Sequence, residues 1–269
     1  MKKALKLFTI AALLVMLMVS CQPAPEEIIS PDETEDDAPA EGIGSYGPAG
    51  GRVFYDCDAD NTEEDPDGED NLKSDVCGWR YLEAAPSLIY KGAEVASTPT
   101  VYKTVPEGAD VFKALYGYYL VGETKTAVGT SANLGTGKAN SAAIYEKVCN
   151  NGAIKTNVGS DSKEHYIAAY LCETLTYTAK DGTVYDDWFL PSSAELKQYY
   201  LNISVAGYDT SIIPASSDVA TSFMTSTEKS GSAETKLSSW CVKGSKETSA
   251  TAQKDKNILL PVLAIRSFL

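Results

Sequence analysis

The acidic segment at positions 56–75 is the first part of the sequence whose residue types and spacing could do chemistry. It holds ten acids and one base. Four of its side chains occupy positions at which an EF-hand loop binds calcium through oxygen atoms: Asp58, Asp60, Thr62 and Glu69. The sixth position is Glu63, whereas such a loop needs glycine there for its sharp turn. Two interpretations stay open, a weak extracellular-type calcium site and a solvated loop that aids solubility.

Groups for acid–base or nucleophilic catalysis are sparse. His165 is the single histidine, and no nucleophile lies at a recognisable spacing from it. Asp186 and Asp187 are adjacent, and neighbouring side chains do not face one another as the two carboxylates of a glycosidase do. No glycine-rich phosphate loop followed by Lys-Ser or Lys-Thr is present. We predict no catalytic residue; the alternative is a cell-envelope enzyme, such as a carboxylate-dependent hydrolase, that uses Asp186, Asp187 or Glu195.

The cysteines are the next candidates for chemistry. Five follow Cys21 in the sequence: Cys57, Cys77, Cys149, Cys172 and Cys241. Spacing alone does not determine disulfide connectivity, but Cys57 and Cys77 bracket the acidic segment, so we favour a disulfide bond that closes it into a loop. We also predict a second disulfide bond, Cys149–Cys172, which would leave Cys241 without a partner cysteine. The sequence has no Cys-x-x-Cys and one histidine, so zinc is not expected, and calcium is the one cofactor considered.

The N-terminus has the pattern of an export signal. Three lysines precede an apolar run at residues 7–19, which is too short for the roughly 20 residues that span a bilayer. Residues 18–21, Met-Val-Ser-Cys, resemble a bacterial lipobox. We therefore predict a signal peptide at residues 1–20 and lipidation of Cys21 with acyl chains such as palmitate, which would anchor the protein in the cell-envelope membrane, at the outer membrane or periplasmic face. The alternatives are an uncleaved anchor and a plain signal peptide.

Residues 21–43 are predicted to be an extended tether. The segment contains four prolines and eight acids, so it buries too little apolar surface to fold. This tether and the acidic segment carry the excess of negative charge behind the net −14, and the rest of the mature chain is balanced. A nucleic-acid partner needs a basic surface. We therefore expect no nucleic-acid binding, and no charge-driven adhesion to an anionic membrane.

The body, residues 44–269, is predicted to be one α+β domain with strands at both ends and helices in the middle. Hydrophobic patterning predicts strands at residues 51–55, 79–84, 116–121, 239–242 and 259–268. The last of these is nearly continuous in apolar residues, so we place it at the centre of a sheet. Helices are predicted at residues 140–148 and 165–178, and a third begins after Pro191, where Ser192 and Glu195 have the spacing of a capping box.

Five segments of this body resemble the Lcl C-terminal domain family, including versions in spirochaete lipoproteins: residues 47–55, 78–86, 130–144, 187–196 and 264–268. The resemblance implies a C-type-lectin-like or related mixed fold over residues 44–269, interrupted by the acidic insert. The residues that carry its fold signature are Trp79, Trp188, Leu190, Pro191, Ser192, Glu195 and Arg266. The family is named for a collagen-like adhesin that binds sulfated glycosaminoglycans, but this chain has no basic surface for them, so that ligand does not transfer.

These features together predict an exported lipoprotein with a non-catalytic, adhesin-like binding domain at the surface or in the envelope. Its partners would be the membrane, through acylated Cys21, and a glycan or protein ligand. Sixteen tyrosines and three tryptophans supply aromatic side chains for loops on a rigid scaffold, which suits recognition of such ligands.

Overall fold

The computed structural model describes residues 42–58, 78–91, 99–101, 110–149, 155–156, 165–203, 222–229, 238–245 and 248–269. All of them belong to the compact unit Ala38–Leu269. The predicted signal peptide, Cys21, the tether up to residue 41 and residues 59–77, which include most of the acidic insert, lie outside the described residues, so the predictions for them stay predictions. No helix within the described ranges is both long and apolar enough to cross a membrane.

The described residues form sixteen short strands and three α-helices, one of which continues into a π-helical turn. The helices are α1 (Gly137–Ile144), its π-helical turn (Tyr145–Cys149), α2 (Ala168–Glu173) and α3 (Ser193–Ile203). The strands are β1 (Arg52–Asp56), β2 (Tyr81–Ala84), β3 (Tyr90–Lys91), β4 (Pro99–Thr100), β5 (Lys113–Ala114), β6 (Tyr119–Val121), β7 (Thr124–Thr126), β8 (Lys155–Thr156), β9 (His165–Tyr166), β10 (Tyr177–Thr178), β11 (Val184–Tyr185), β12 (Ser222–Glu228), β13 (Ser238–Ser245), β14 (Thr248–Asp255), β15 (Leu260–Pro261) and β16 (Ile265–Phe268).

Two three-stranded antiparallel sheets organise these elements. One has the order β1-β2-β16 and the other the order β12-β13-β14, and the remaining strands pair two by two. Small antiparallel sheets combined with few helices are an α+β architecture. The α+β prediction is therefore confirmed.

The C-terminal apolar run is not one central strand, and that prediction is wrong. It divides into β15 and β16, and β2 is the central strand of its sheet. Successive residues from Val262 to Ile265 alternate between two separate core clusters. Val262 and Ala264 belong to the first core cluster, and Leu263 and Ile265 belong to the second, so the run is buried on both sides. Residues 188–190 alternate in the same way and bridge to this run through Phe189 and Ile265, whose N–H groups each donate to the other's carbonyl at 2.8 and 3.0 Å. Burial between two clusters accounts for the continuous apolar pattern.

The first predicted helix exists but begins three residues earlier than expected, at Gly137. Thr136 occupies the N-cap position without a side-chain cap. Asn140, the first residue of the predicted helix, lies inside α1 and secures the preceding loop, because its side-chain amide accepts from Ser131 N at 2.9 Å and donates to Ser131 O at 2.6 Å.

The second predicted helix is wrong over much of its length. Residues 165–166 are β9, the helix covers only Ala168–Glu173, and residues 180–182 turn between β10 and β11. Leu115 is the physical reason: its N–H donates to Tyr166 O at 2.9 Å and its carbonyl accepts from Ala168 N at 2.7 Å. These long-range bonds hold the first residues extended and override the helical spacing of the apolar side chains.

The predicted strand at residues 116–121 is shortened to β6 by Gly117. Its φ of +84° lies in the left-handed region, and a Cβ atom there would come within 2.6 Å of Ile167 Cδ1. The chain therefore bends at this glycine before β6 begins.

Candidate functional site

The capping box after Pro191 is confirmed, and its carboxylate does more than cap one helix. Glu195 N donates to Ser192 Oγ at 3.2 Å, and Ser192 N donates to Glu195 Oε2 at 2.7 Å. The other oxygen, Oε1, accepts from Gly137 N at 3.1 Å. One fully buried carboxyl group thus joins the N-termini of α3 and α1. Burial raises the pKa of Glu195 to about 7, although the N–H donors oppose the shift.

This pKa gives a testable pH dependence of stability. The folded protein favours the protonated form of Glu195, so its contribution to stability is complete below about pH 4.5 and is lost as the pH rises through about 7. A pKa shift of this size corresponds to a contribution to folding stability on the order of 3 kcal/mol. Urea midpoints measured from pH 5 to pH 8 are expected to fall more steeply in wild type than in Glu195→Gln, which does not titrate. The exposed Glu146→Gln serves as the control, and equal slopes in all three proteins would contradict the prediction.

Arg266, a residue of the fold signature, connects two acidic side chains. It donates to both carboxylate oxygens of Asp187, at 2.8 and 3.0 Å, and to Glu83 Oε2 at 3.1 Å. Glu83 is completely buried in β2 and also accepts from the backbone N–H groups of Gly51, at 2.7 Å, and Ala49, at 3.3 Å. Burial raises the pKa of Glu83, while the Gly51 N–H and Arg266 oppose the increase. These contacts give Arg266 a structural role.

Gly47 and Gly51 are required by the same network. A Cβ atom on Gly47 would lie 2.3 Å from Glu83 Cδ, and one on Gly51 would lie 1.8 Å from the Ala84 carbonyl oxygen. Only glycine therefore lets this loop approach β2 closely enough for its N–H groups to reach Glu83. Sequence reasoning missed Glu83, although an acid within an otherwise apolar strand was a usable signal.

A second buried acid, Glu228 at the end of β12, was also missed. Its two carboxylate oxygens accept from Val128 N at 3.0 Å and Gly129 N at 2.7 Å. It forms an ion pair with Lys256, and both side chains are almost fully buried. Lys256 Nζ also lies 4.6 Å from the ring centroid of Tyr116. Burial lowers the pKa of Lys256, and the hydrogen bond and negative charge of Glu228 oppose this.

The buried carboxylates of Glu83, Glu195 and Glu228 share one role. Each accepts hydrogen bonds from backbone N–H groups of a neighbouring loop or helix end, so each holds that segment in place. Both carboxylate oxygens of Asp187, one of the acids in the hydrolase alternative, accept hydrogen bonds from Arg266. His165 lies half-buried in β9, and Asp186 is exposed. Trp188, Leu190 and Pro191 are buried, as a structural role for these residues requires.

The predicted disulfide bond Cys149–Cys172 is wrong, because both residues are free, buried thiols. Their side chains fill the first core cluster as small apolar groups. Burial raises the pKa of Cys149 to about 11 and raises that of Cys172 as well, so neither is a reactive thiolate. Cys57 Sγ lies 3.2 Å from the Trp79 carbonyl oxygen. Its proposed partner, Cys77, and the side chain of Cys241 lie outside the described part of the chain, so Cys57–Cys77 stays a prediction.

Of the proposed calcium ligands, the structure describes only Asp58. Its carboxylate lies 3.5 Å from Arg80 Nε, and Arg80 also makes two bonds of 3.0 Å to the buried Asp56. Asp60, Thr62 and Glu69 lie outside the described residues. Within the described ranges, no group of three or more His, Cys, Asp or Glu side chains is placed to hold a metal ion.

Four half-buried aromatic side chains form a continuous row, which we call the aromatic row: Phe112, Tyr166, Tyr170 and Tyr145. Successive ring centroids are 5.5, 6.3 and 6.0 Å apart. The three tyrosine rings are nearly parallel, with interplanar angles of 17° and 3°. Sequence reasoning singled out the abundance of tyrosine but not these residues, because they come from separate elements and meet only in the folded chain.

A groove of about 360 Å³ lies between α1 and the β1-β2-β16 sheet. The helix contributes Lys138, Ala139 and Ala142, which are exposed. The sheet side contributes the half-buried Trp79 and Ser267, and the base is formed by buried side chains: Leu82, Phe189 and Glu195. This volume falls in the range of sites that hold a small organic group.

Comparison with known proteins returned no relatives. The chain matches no protein-family model, no curated protein and no solved structure.

Proposed function

We propose that this protein is a non-catalytic binding domain on an exported bacterial lipoprotein, held in the cell envelope through acylated Cys21. The proposal includes a C-type-lectin-like or related fold of the Lcl C-terminal type. Its ligand is a glycan or a protein at the envelope surface. The observation that carries the proposal is the aromatic row, in which four partly exposed rings follow one another in contact.

Partly exposed aromatic rings on a rigid base support recognition of other molecules. Such rings offer a large contact area and lose little conformational entropy on binding, so they dominate many binding surfaces. The row is anchored because all four side chains pack against the first core cluster. A ligand would therefore meet a preformed surface, which lowers the cost of binding.

The contacts of two carboxylates named for the hydrolase alternative support a binding function over a catalytic one. Asp187 is held by Arg266, and Glu195 joins two helix ends. A glycosidase needs two carboxyl groups that face a shared substrate bond. Asp187 and Glu195 instead have structural partners of their own, which supports a structural role for these two residues.

The test uses the full-length protein, purified in detergent, on an array of envelope glycans and matrix proteins. The double variant Tyr166→Ala/Tyr170→Ala is expected to lose about tenfold or more in affinity for any ligand that the wild type binds. Tyr177→Ala is the matched control, since this tyrosine also packs against the first core cluster but lies outside the row. Circular dichroism checks that each variant is folded. Unchanged affinity in a folded double variant would overturn the assignment of the row.

A further inference from the structure

The groove and the aromatic row lie on the same face of one helix. Lys138 and Ala142 line the groove. Tyr145, which follows Ala142 by three residues and Lys138 by seven, begins the π-helical turn and belongs to the row. Residues at these spacings lie above one another on a helix. The α1 surface therefore leads directly from the groove to the row.

Contacts between α1 and α2 make this surface continuous. The two helices pack against each other. Burial raises the pKa of Glu173 on α2, and the positive charge of Lys138 on α1 opposes the increase, so the two charges interact. Farther along, the Tyr145 and Tyr170 rings stack at 6.0 Å. Tyr170 and Glu173 are one turn apart on α2. Side chains of both helices therefore lie along one strip of surface, which runs from the groove to the aromatic row.

The strip is long compared with a single small ligand. Lys138 and Tyr145 are separated by about 10 Å along the helix. The row then continues through ring centroids at spacings of 6.0, 6.3 and 5.5 Å. The groove adds Trp79 at the opposite end. A ligand that contacts both ends must be an extended chain.

We propose that the groove and the aromatic row form one elongated site for a linear, uncharged glycan chain, with the sugar at one end seated beside Trp79. This inference rests on the proposed function and names its ligand class. The apolar patches of sugar rings can pack against the exposed parts of these aromatic side chains, and the polar groups of Lys138, Glu173 and Ser267 can hydrogen-bond to sugar hydroxyls. The charges of Lys138 and Glu173 offset one another, which suits a neutral ligand.

The test is the dependence of affinity on chain length. Isothermal titration calorimetry would use the full-length protein with β-1,4-linked glucose and N-acetylglucosamine oligomers, from disaccharide to octasaccharide. In wild type, affinity is expected to rise with length until the oligomer reaches the groove. Trp79→Ala is expected to weaken binding of the longest oligomers about tenfold and to leave the shortest unchanged. Tyr170→Ala should weaken binding of every oligomer, and Trp79→Phe, which keeps an aromatic ring, should stay close to wild type.

The outcomes separate this inference from the function on which it rests. Affinity that does not depend on length, or equal binding of long oligomers by folded Trp79→Ala and wild type, overturns the elongated site while row variants can still confirm a binding surface. Binding of an extended peptide panel but of no oligosaccharide overturns the glycan class alone. If folded Tyr170→Ala binds all oligomers as wild type does, the aromatic row itself is not the site and both proposals fail.

Discussion

Replacement of Arg266 by methionine is expected to destabilise the folded protein by roughly 3–5 kcal/mol, because it leaves the carboxylate of Glu83 buried without its cation. Glu83 has no exposed surface, so water cannot take the place of the guanidinium. Chemical denaturation of the full chain measures the loss. Arg52→Met is the matched control, since this half-buried arginine donates to the Gly44 carbonyl oxygen at 3.0 Å and lies over the Tyr46 ring, and we expect its loss to cost about 1 kcal/mol.

The pH dependence of this variant distinguishes a lost counter-ion from a lost packing contact. Without Arg266, the pKa of Glu83 should rise further, so the folded variant favours the protonated acid. The loss of stability should then be smaller at about pH 5 than at about pH 8. In a double-mutant cycle, Glu83→Gln combined with Arg266→Met should be less destabilising than the sum of the single changes. Additive effects and a pH-independent loss would mean that the pair is not coupled.

Replacement of Glu228 by glutamine is expected to destabilise the protein by a similar amount, roughly 3–5 kcal/mol, for the opposite reason. The amide keeps the shape of the side chain and an acceptor oxygen, but Lys256 stays buried without a negative partner. Lys256 is 1% exposed as a side chain, so its charge has no access to solvent. Thermal or chemical unfolding of the full chain measures the loss, and Glu123→Gln, on the exposed turn between β6 and β7, is the control.

The expected pH dependence of Glu228→Gln is the reverse of that of Arg266→Met. Burial already lowers the pKa of Lys256, and loss of Glu228 should lower it further. The folded variant then favours the neutral amine, so its stability should recover as the pH rises towards the ordinary pKa of lysine. A variant that loses stability equally from about pH 6 to about pH 9 would show that Lys256 is not the source of the effect.

The sequence alone determined those features whose hydrogen bonds close within a few residues. The capping box joins Ser192 to Glu195, three positions apart, so residue types at a fixed spacing were sufficient to predict the start of α3. Strands β1 and β2 were likewise predicted from short β-rich runs after glycine turns. The α+β class followed from the order of such local patterns.

The boundaries of α1 and α2 could not be predicted in this way, because long-range bonds compete with local preference. Hydrogen bonds of Leu115 with Tyr166 and Ala168 hold Tyr166 and Ile167 extended, although the apolar spacing there is helical. The apolar run before Phe268 gave the same difficulty, since burial between two core clusters and burial at the centre of a sheet produce the same pattern of residues. Which of the two applies depends on what packs against each side.

Only the tertiary structure brought the buried acids together with their partners and assembled the aromatic row. Glu83 and Arg266 are 183 positions apart, and Glu228 and Val128 are 100 apart. A single carboxylate in a strand does not indicate which distant cation or loop it will meet. The aromatic row similarly draws Phe112, Tyr145 and Tyr166 from separate elements. Local spacing therefore determined how individual segments fold, whereas long-range packing decided which side chains share a buried site or a binding surface, because these pairs form only when the chain closes on itself.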